Sequence, residues 1–250
     1  MNTAFYTGAS GLNAFQSRMD VIGNNIANVN TNGYRPVETT FNDLLYTEMY
    51  VNSADVLTGH GVKTVYTGIN AGQGTPIPSS GELDFAIVGN GWFAVESGGE
   101  TVYTRDGSFH LSVSGMTAYL VNQNGDYVLD KNGRRISAVI GTNSSSATSS
   151  NSVSIDTSKF KDQIGVFNFA NPEALIPVSS NRYRANELTG AATVAAAGSY
   201  EMLSGYLEQS GVSMPDEMIN LIMAQRGYQL SARVGQTADE VEQTINSLRS

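Results

Sequence analysis

The sequence predicts an α+β protein: long N- and C-terminal helices paired as a coiled coil, with a central, mostly antiparallel β body between them. Three observations predict it. Large apolar residues recur with helical spacing near each chain end, as at Phe5, Leu12, Met19 and Ile26 and at Ile219, Met223, Leu230 and Val234. The middle is instead written in short apolar runs punctuated by Gly and Asn-Gly turns. Only 15% of the residues are charged and 26 of the 250 are glycine, the composition of a turn-rich β protein. The chain divides on this reading into a helix over 1–33, a β-rich body over 34–205 and a second helix over 206–250.

The N-terminal helix is an a/d seam. Phe5, Leu12, Met19 and Ile26 are seven residues apart, and Phe15, Ile22 and Val29 fill the position three residues later. Only Gly8 breaks that second series, while Asn13, Gln16, Ser17, Asp20 and Asn24 mark the other face. The helix is predicted to end in Asn28-Val29-Asn30-Thr31-Asn32-Gly33, because Asn competes for its own backbone and Asn-Gly favours turns.

Within the body, Val62–Tyr66, Phe85–Val88, Trp92–Val95, Thr101–Thr104 and Tyr127–Leu129 each read as a strand. Gly89-Asn90-Gly91, Gly98-Gly99, Asp106-Gly107, Asn124-Gly125 and Asn132-Gly133 read as the turns between them. Residues 143–154 are Ser-rich and of low complexity, predicting a surface loop. A further β segment follows at Ile164–Phe169, and an Ala-rich loop around 191–197 leads back toward the second helix.

That helix opens with Ser213 and Asp216 spaced as a capping box and with Pro215 in the first turn. Its apolar stripe runs through Ile219, Met223, Leu230, Val234, Ala238, Val241, Ile245 and Leu248, interrupted at Gly227. Met218, Leu221 and Tyr228 lie off the stripe, so the helix offers apolar groups in two directions. Backbone ordering costs about 1–2 kcal/mol per residue and isolated helices are marginal in water. The ends are therefore expected to be weakly ordered alone and to become helical where partners cover them.

Composition excludes several functions. A net charge of −9 without a Lys/Arg cluster argues against nucleic acid, and no cysteine is present for disulfides or thiolate metal sites. No apolar run reaches the roughly 18 residues that span a bilayer, and the N-terminus does not read as a signal peptide. His60 and His110, the only histidines, sit in unrelated segments. Asp84, Asp106, Asp126 and Asp130 read as turn residues, and Arg105, in Tyr103-Thr104-Arg105-Asp106-Gly107, is expected on the surface. Gly72-Gln73-Gly74 and Gly89-Asn90-Gly91 precede no helix, so neither reads as a phosphate loop. No catalytic residue, cofactor or metal site is predicted.

Tyr6–Ala14 and Met19-Asp20-Val21-Ile22-Gly23-Asn24-Asn25-Ile26-Ala27-Asn28-Val29-Asn30-Thr31-Asn32-Gly33-Tyr34-Arg35 resemble the N-terminal signature of bacterial flagellar rod and hook proteins. Leu83–Phe93 and Tyr103–Phe109 resemble that family's central segment, and Ser204–Ser210 with Glu217–Tyr228 its C-terminal signature. The resemblance implies a non-catalytic structural subunit of the rod, the periplasmic drive shaft, exported without a cleaved signal peptide through the flagellar type III apparatus. It implies terminal helices that polymerise around a central channel and transmit torque. Implied partners are further copies of the chain, other rod and hook subunits, the export apparatus and surrounding ring proteins. Phe5, Leu12, Phe15, Met19, Ile22 and Ile26 are then expected to pack on Met218, Leu221, Ile222, Tyr228, Val234, Val241 and Ile245 of the same and adjacent subunits. Asn24 and Asn25 are expected to fix register, as a buried Asn does in coiled coils. A hook or hook-junction subunit is the alternative within the family. A secreted β-domain enzyme or adhesin with a helical clip is the alternative outside it.

Overall fold

The computed structural model describes residues 3–51, 54–139, 158–196 and 198–249; the Ser-rich stretch 143–154 lies outside the described residues. The first heptads form α1 (Thr3–Ala27), which stops where the Asn28 side chain bonds the Asn24 carbonyl at 2.9 Å. Then come β1 (Val37–Asp43), β2 (Tyr46–Val51), β3 (Ala54–Gly59), β4 (Val62–Ile69), β5 (Pro76–Pro78), β6 (Phe85–Gly89), β7 (Trp92–Ser97) and β8 (Glu100–Thr104). They continue as β9 (His110–Ser114), β10 (Thr117–Val121), β11 (Tyr127–Val128), β12 (Ser137–Val139), the short α2 (Ser158–Gln163) and β13 (Val166–Asn168). The last are β14 (Ile176–Pro177), β15 (Tyr183–Arg184), β16 (Thr193–Val194), β17 (Tyr200–Ser204), β18 (Tyr206–Glu208) and α3 (Met214–Arg249). Each strand expected from the turn spacing is present, and α3 starts directly after Ser213.

The chain forms two units. One comprises residues 1–29, 37–68 and 212–250, the other 30–36 and 69–211. In the first, α1 and α3 are joined by the β1–β4 pair and the antiparallel β2–β3 hairpin. Residues 37–68 therefore group with the helices.

The second unit is built on a ten-stranded sheet in the order β12-β10-β11-β7-β8-β15-β14, with β9 on β10 and β13 joining β7 to β16. Each register within it is antiparallel, such as Val95 opposite Val102 and Leu120 opposite Leu111. Phe93, Val95, Val102, Leu120, Val128 and Val166 from this sheet pack with Phe85 and Ile87 of β6 and Met202 of β17. Phe109 ties the layers, with its ring 5.2 Å from Phe93 and 6.3 Å from Phe85. Where the turn reading expected a surface arginine, Arg105 is only 3% exposed. It lies beyond the end of β8 and turns inward onto the carbonyls of Ile87 and Gly89.

Asp106, next in the chain, accepts from the Ser108 N–H at 3.1 Å and hydroxyl at 2.7 Å. Burial, reinforced by the nearby Asp84 charge, holds its pKa above the ordinary 3.8 despite these bonds. A carboxyl whose folded pKa is raised contributes stability below its unfolded pKa, and that contribution is lost as pH rises through the folded value. Asp106→Asn keeps an acceptor for Ser108 and removes the charge. It should therefore unfold at a higher temperature than the parent at pH 7, with the difference closing below about pH 4. Paired thermal melts across that range check this.

Candidate assembly interface

In the first unit, α1 and α3 pack antiparallel. Gly8 faces Ser231 and Gly235, Gly11 faces Ser231, Phe15 faces Gly227, and Asn25 bonds Glu217. The contact is close because small residues line it. A Cβ at Gly8 would lie 3.2 Å from the Ser231 carbonyl oxygen, one at Gly11 2.8 Å from the Ser231 hydroxyl, and one at Gly227 2.4 Å from the Phe15 ring carbons. Gly8 and Gly227, which interrupt the large-residue stripes, are thus points of close approach between the helices. Along α3 the buried or half-buried residues include Ala224, Gly227, Ser231, Gly235 and Ala238. Ala224, Ser231 and Ala238 sit at heptad intervals, a signal that attention to large side chains passes over.

The predicted residues divide accordingly. Ile22 is buried in the single chain, and Leu12, Phe15, Met19, Ile26 and Leu221 are half-buried. Phe15 also packs edge-on against Phe41 of β1 at 5.2 Å, and the Arg18 guanidinium carbon lies 5.3 Å from the centre of that same ring. Thr64 of β4 donates to the Ala14 carbonyl at 3.0 Å. Met218, Ile222, Tyr228, Val234, Val241 and Ile245 are between 37% and 59% exposed, and Phe5 is 43% exposed. Along α3, Ile219, Met223, Leu230 and Leu248 are exposed as well, at 52–83%, so large apolar side chains stand open along the length of that helix. At 36 residues against 25, α3 is the longer helix.

The two asparagines separate too. Asn24 is exposed, whereas Asn25 is 2% exposed. Its amide donates to the Val37 carbonyl at 3.0 Å and to Glu217 Oε1 at 2.8 Å, and its oxygen accepts from the Val37 N–H at 3.0 Å. These bonds join α1, the first residue of β1 and the first turn of α3. Sequence reading assigned Asn25 to register in the assembly; its amide makes these bonds inside one chain.

Among the described residues, no cluster of three or more His, Asp or Glu side chains is arranged to hold a metal ion, and no helix is long and apolar enough to cross a membrane.

Comparison with known proteins adds a separate line. Residues 5–35 match the family described as flagella basal body rod protein, and residues 203–248 the flagellar basal body rod FlgEFG protein C-terminal family. Residues 86–158 match the flagellar hook protein FlgE/F/G D1 domain. The flagellar basal-body rod protein FlgG of Bacillus subtilis is 36% identical over 266 residues, covering 100% of both chains. FlgG of Caulobacter vibrioides is 35% identical, with 99% of each chain covered. The basal-body rod protein FlgF of Mesorhizobium japonicum is 29% identical, over 100% of this chain and 99% of that one.

Proposed function

The chain belongs to the flagellar basal-body rod protein family, and from that premise we propose that it is a structural rod subunit which polymerises through its terminal helices and transmits torque. The observation that carries the mechanism is the apolar surface of α3. Burying a large aliphatic side chain is worth about 1.5–3 kcal/mol, and many large apolar side chains left open on one helix mark an interaction surface. Small residues close the inner seam, so the large ones remain for neighbouring copies and for other rod or hook subunits.

In this reading α1 and α3 are the assembly elements, and residues 30–36 with 69–211 form the outward-facing body. The subunit is non-catalytic, because torque passes through repeated packing contacts and no bond is made or broken. It acts in the periplasmic rod, reaches it through the flagellar export apparatus and runs within surrounding ring proteins. The relatives that span the whole chain carry rod names, which favours the rod over a hook or hook-junction place and over a secreted enzyme or adhesin.

Deleting residues 1–30 tests the reading. Polymerisation and swimming should both be lost in a strain whose only copy is the truncated chain. Swimming at the parental rate would overturn the proposal.

A further inference from the structure

Arg35, Arg105 and Glu208 fall in no apolar pattern of the sequence, yet in the second unit they meet. Glu208 Oε1 accepts from Arg35 Nη2 at 2.6 Å and from the Gly74 N–H at 2.7 Å, and Oε2 accepts from Arg105 Nη1 at 3.1 Å. All three side chains are at most 3% exposed. One carboxylate between two guanidiniums leaves a buried excess of one positive charge. It is offset by the Ile87 and Gly89 carbonyls, which accept from Arg105 at 3.2 and 2.8 Å. The Trp92 ring adds to this, with its centre 5.9 Å from the Arg35 guanidinium carbon and 5.5 Å from that of Arg105. Burial and the Arg35 charge, opposed by Glu208, bring the Arg105 pKa down to about 10, so it stays charged at neutral pH.

The position of this cluster gives it a role. The chain passes between the two units at 29–30, 36–37, 68–69 and 211–212. On the side of the second unit, the stretches next to those passages are stitched to one another. Gly33 N–H donates to the Glu208 carbonyl at 2.7 Å, Gly211 N–H to Tyr34 at 2.9 Å, Asn70 N–H to Pro36 at 2.8 Å and Gln209 N–H to Thr75 at 2.9 Å. Gly33 has a φ of +65°, and a Cβ there would lie 2.5 Å from the Arg105 carbonyl carbon, so this segment rests on the Arg105 backbone. The Glu208 side chain bonds residues from 30–36 and 69–75 and lies itself at the start of 208–211.

We infer that Glu208 is a positioning residue: with Arg35 and Arg105 it forms a buried clasp that holds the second unit's side of all four chain passages together as one rigid block. A buried ion pair adds little net stability over apolar packing, but removing one partner leaves an uncompensated charge and loosens what it held. That local rigidity suits a subunit that carries torque, and this part of the inference rests on the rod reading.

The test uses the full chain. Glu208→Gln should speed amide exchange across 30–36, 69–75 and 208–211 by on the order of 100-fold, while β7 and β8 keep their protection. Swimming should fall in a strain carrying only this variant. Arg35→Lys, which keeps the charge but loses the guanidinium beside Trp92, should show the same pattern more weakly, and it serves if Glu208→Gln does not fold. Val102→Ala, a core change chosen to lower the melting temperature, should leave the three stretches unselected and swimming intact. Uniform loosening in the clasp variants, or an equal swimming defect in Val102→Ala, would overturn the clasp. The exchange result stands apart from the rod reading, whereas a parental chain that fails to restore swimming to the deletion strain would count against the rod reading alone.

Discussion

Aspartate at both Ile222 and Val241 leaves the isolated chain as stable as its parent, within about 0.5 kcal/mol, and abolishes assembly. Both side chains are more than half exposed on α3, away from the Ala224–Ser231–Ala238 line that meets α1. Surface substitutions that break no cap, core or network rarely move stability further than that. In an assembled helix layer the same positions are covered. Each aspartate then forfeits about 1.5–3 kcal/mol of apolar burial and adds the larger penalty of a desolvated, unpaired carboxylate. Because every copy carries both changes, the penalty repeats along the filament. Thermal unfolding of the monomer and sedimentation of assembled material read the two halves separately. Normal polymer from a chain with both aspartates would show that this face is not an interface.

Asn25→Leu acts in the opposite way, on the single chain. It removes the donor to Val37 and Glu217 and the acceptor for the Val37 N–H, all within one side chain that is 2% exposed. Leaving buried partners unsatisfied costs about 1–3 kcal/mol per group, and partial hydration of Glu217 holds the total to about 2–4 kcal/mol. Leucine also cannot reproduce the link between the end of α1, the start of β1 and the first turn of α3. Asn24→Leu, one residue earlier and exposed, should shift stability by less than about 0.5 kcal/mol. Far-UV circular dichroism during denaturation of the two variants gives the comparison directly. Equal loss in both would place the effect in helix propensity and not in the Asn25 bonds.

The contrast between these experiments follows from how α3 uses its faces. Large apolar residues announce themselves in a sequence, and on a helix they mark where area is available to bury. They do not say which neighbour buries it. In this chain the intramolecular seam is made where backbones approach closely, which requires Gly, Ala and Ser, residues that contribute little to an apolar count. The same limit applies in the body. Arg105 reads as a turn residue because Asp106-Gly107 follows it, but its partner Glu208 lies 103 residues away and no local pattern reports that pairing. The β1–β4 segment reads as part of the body because Val62–Tyr66 resembles the other strands, while its contacts are with α1, through Phe41 on Phe15 and Thr64 on Ala14.

The sequence by itself determined the α+β class, the two terminal helices, several strands and turns of the body, and the flagellar rod and hook resemblance. All of these rest on short-range periodicity, turn chemistry or contiguous motifs. Only the tertiary structure decided which helix faces pair inside the chain, that Asn25 makes its bonds there, and that Arg35, Arg105 and Glu208 meet in one buried cluster. Those depend on close backbone approach and on partners up to 192 residues apart, and neither leaves a local trace in the order of the residues.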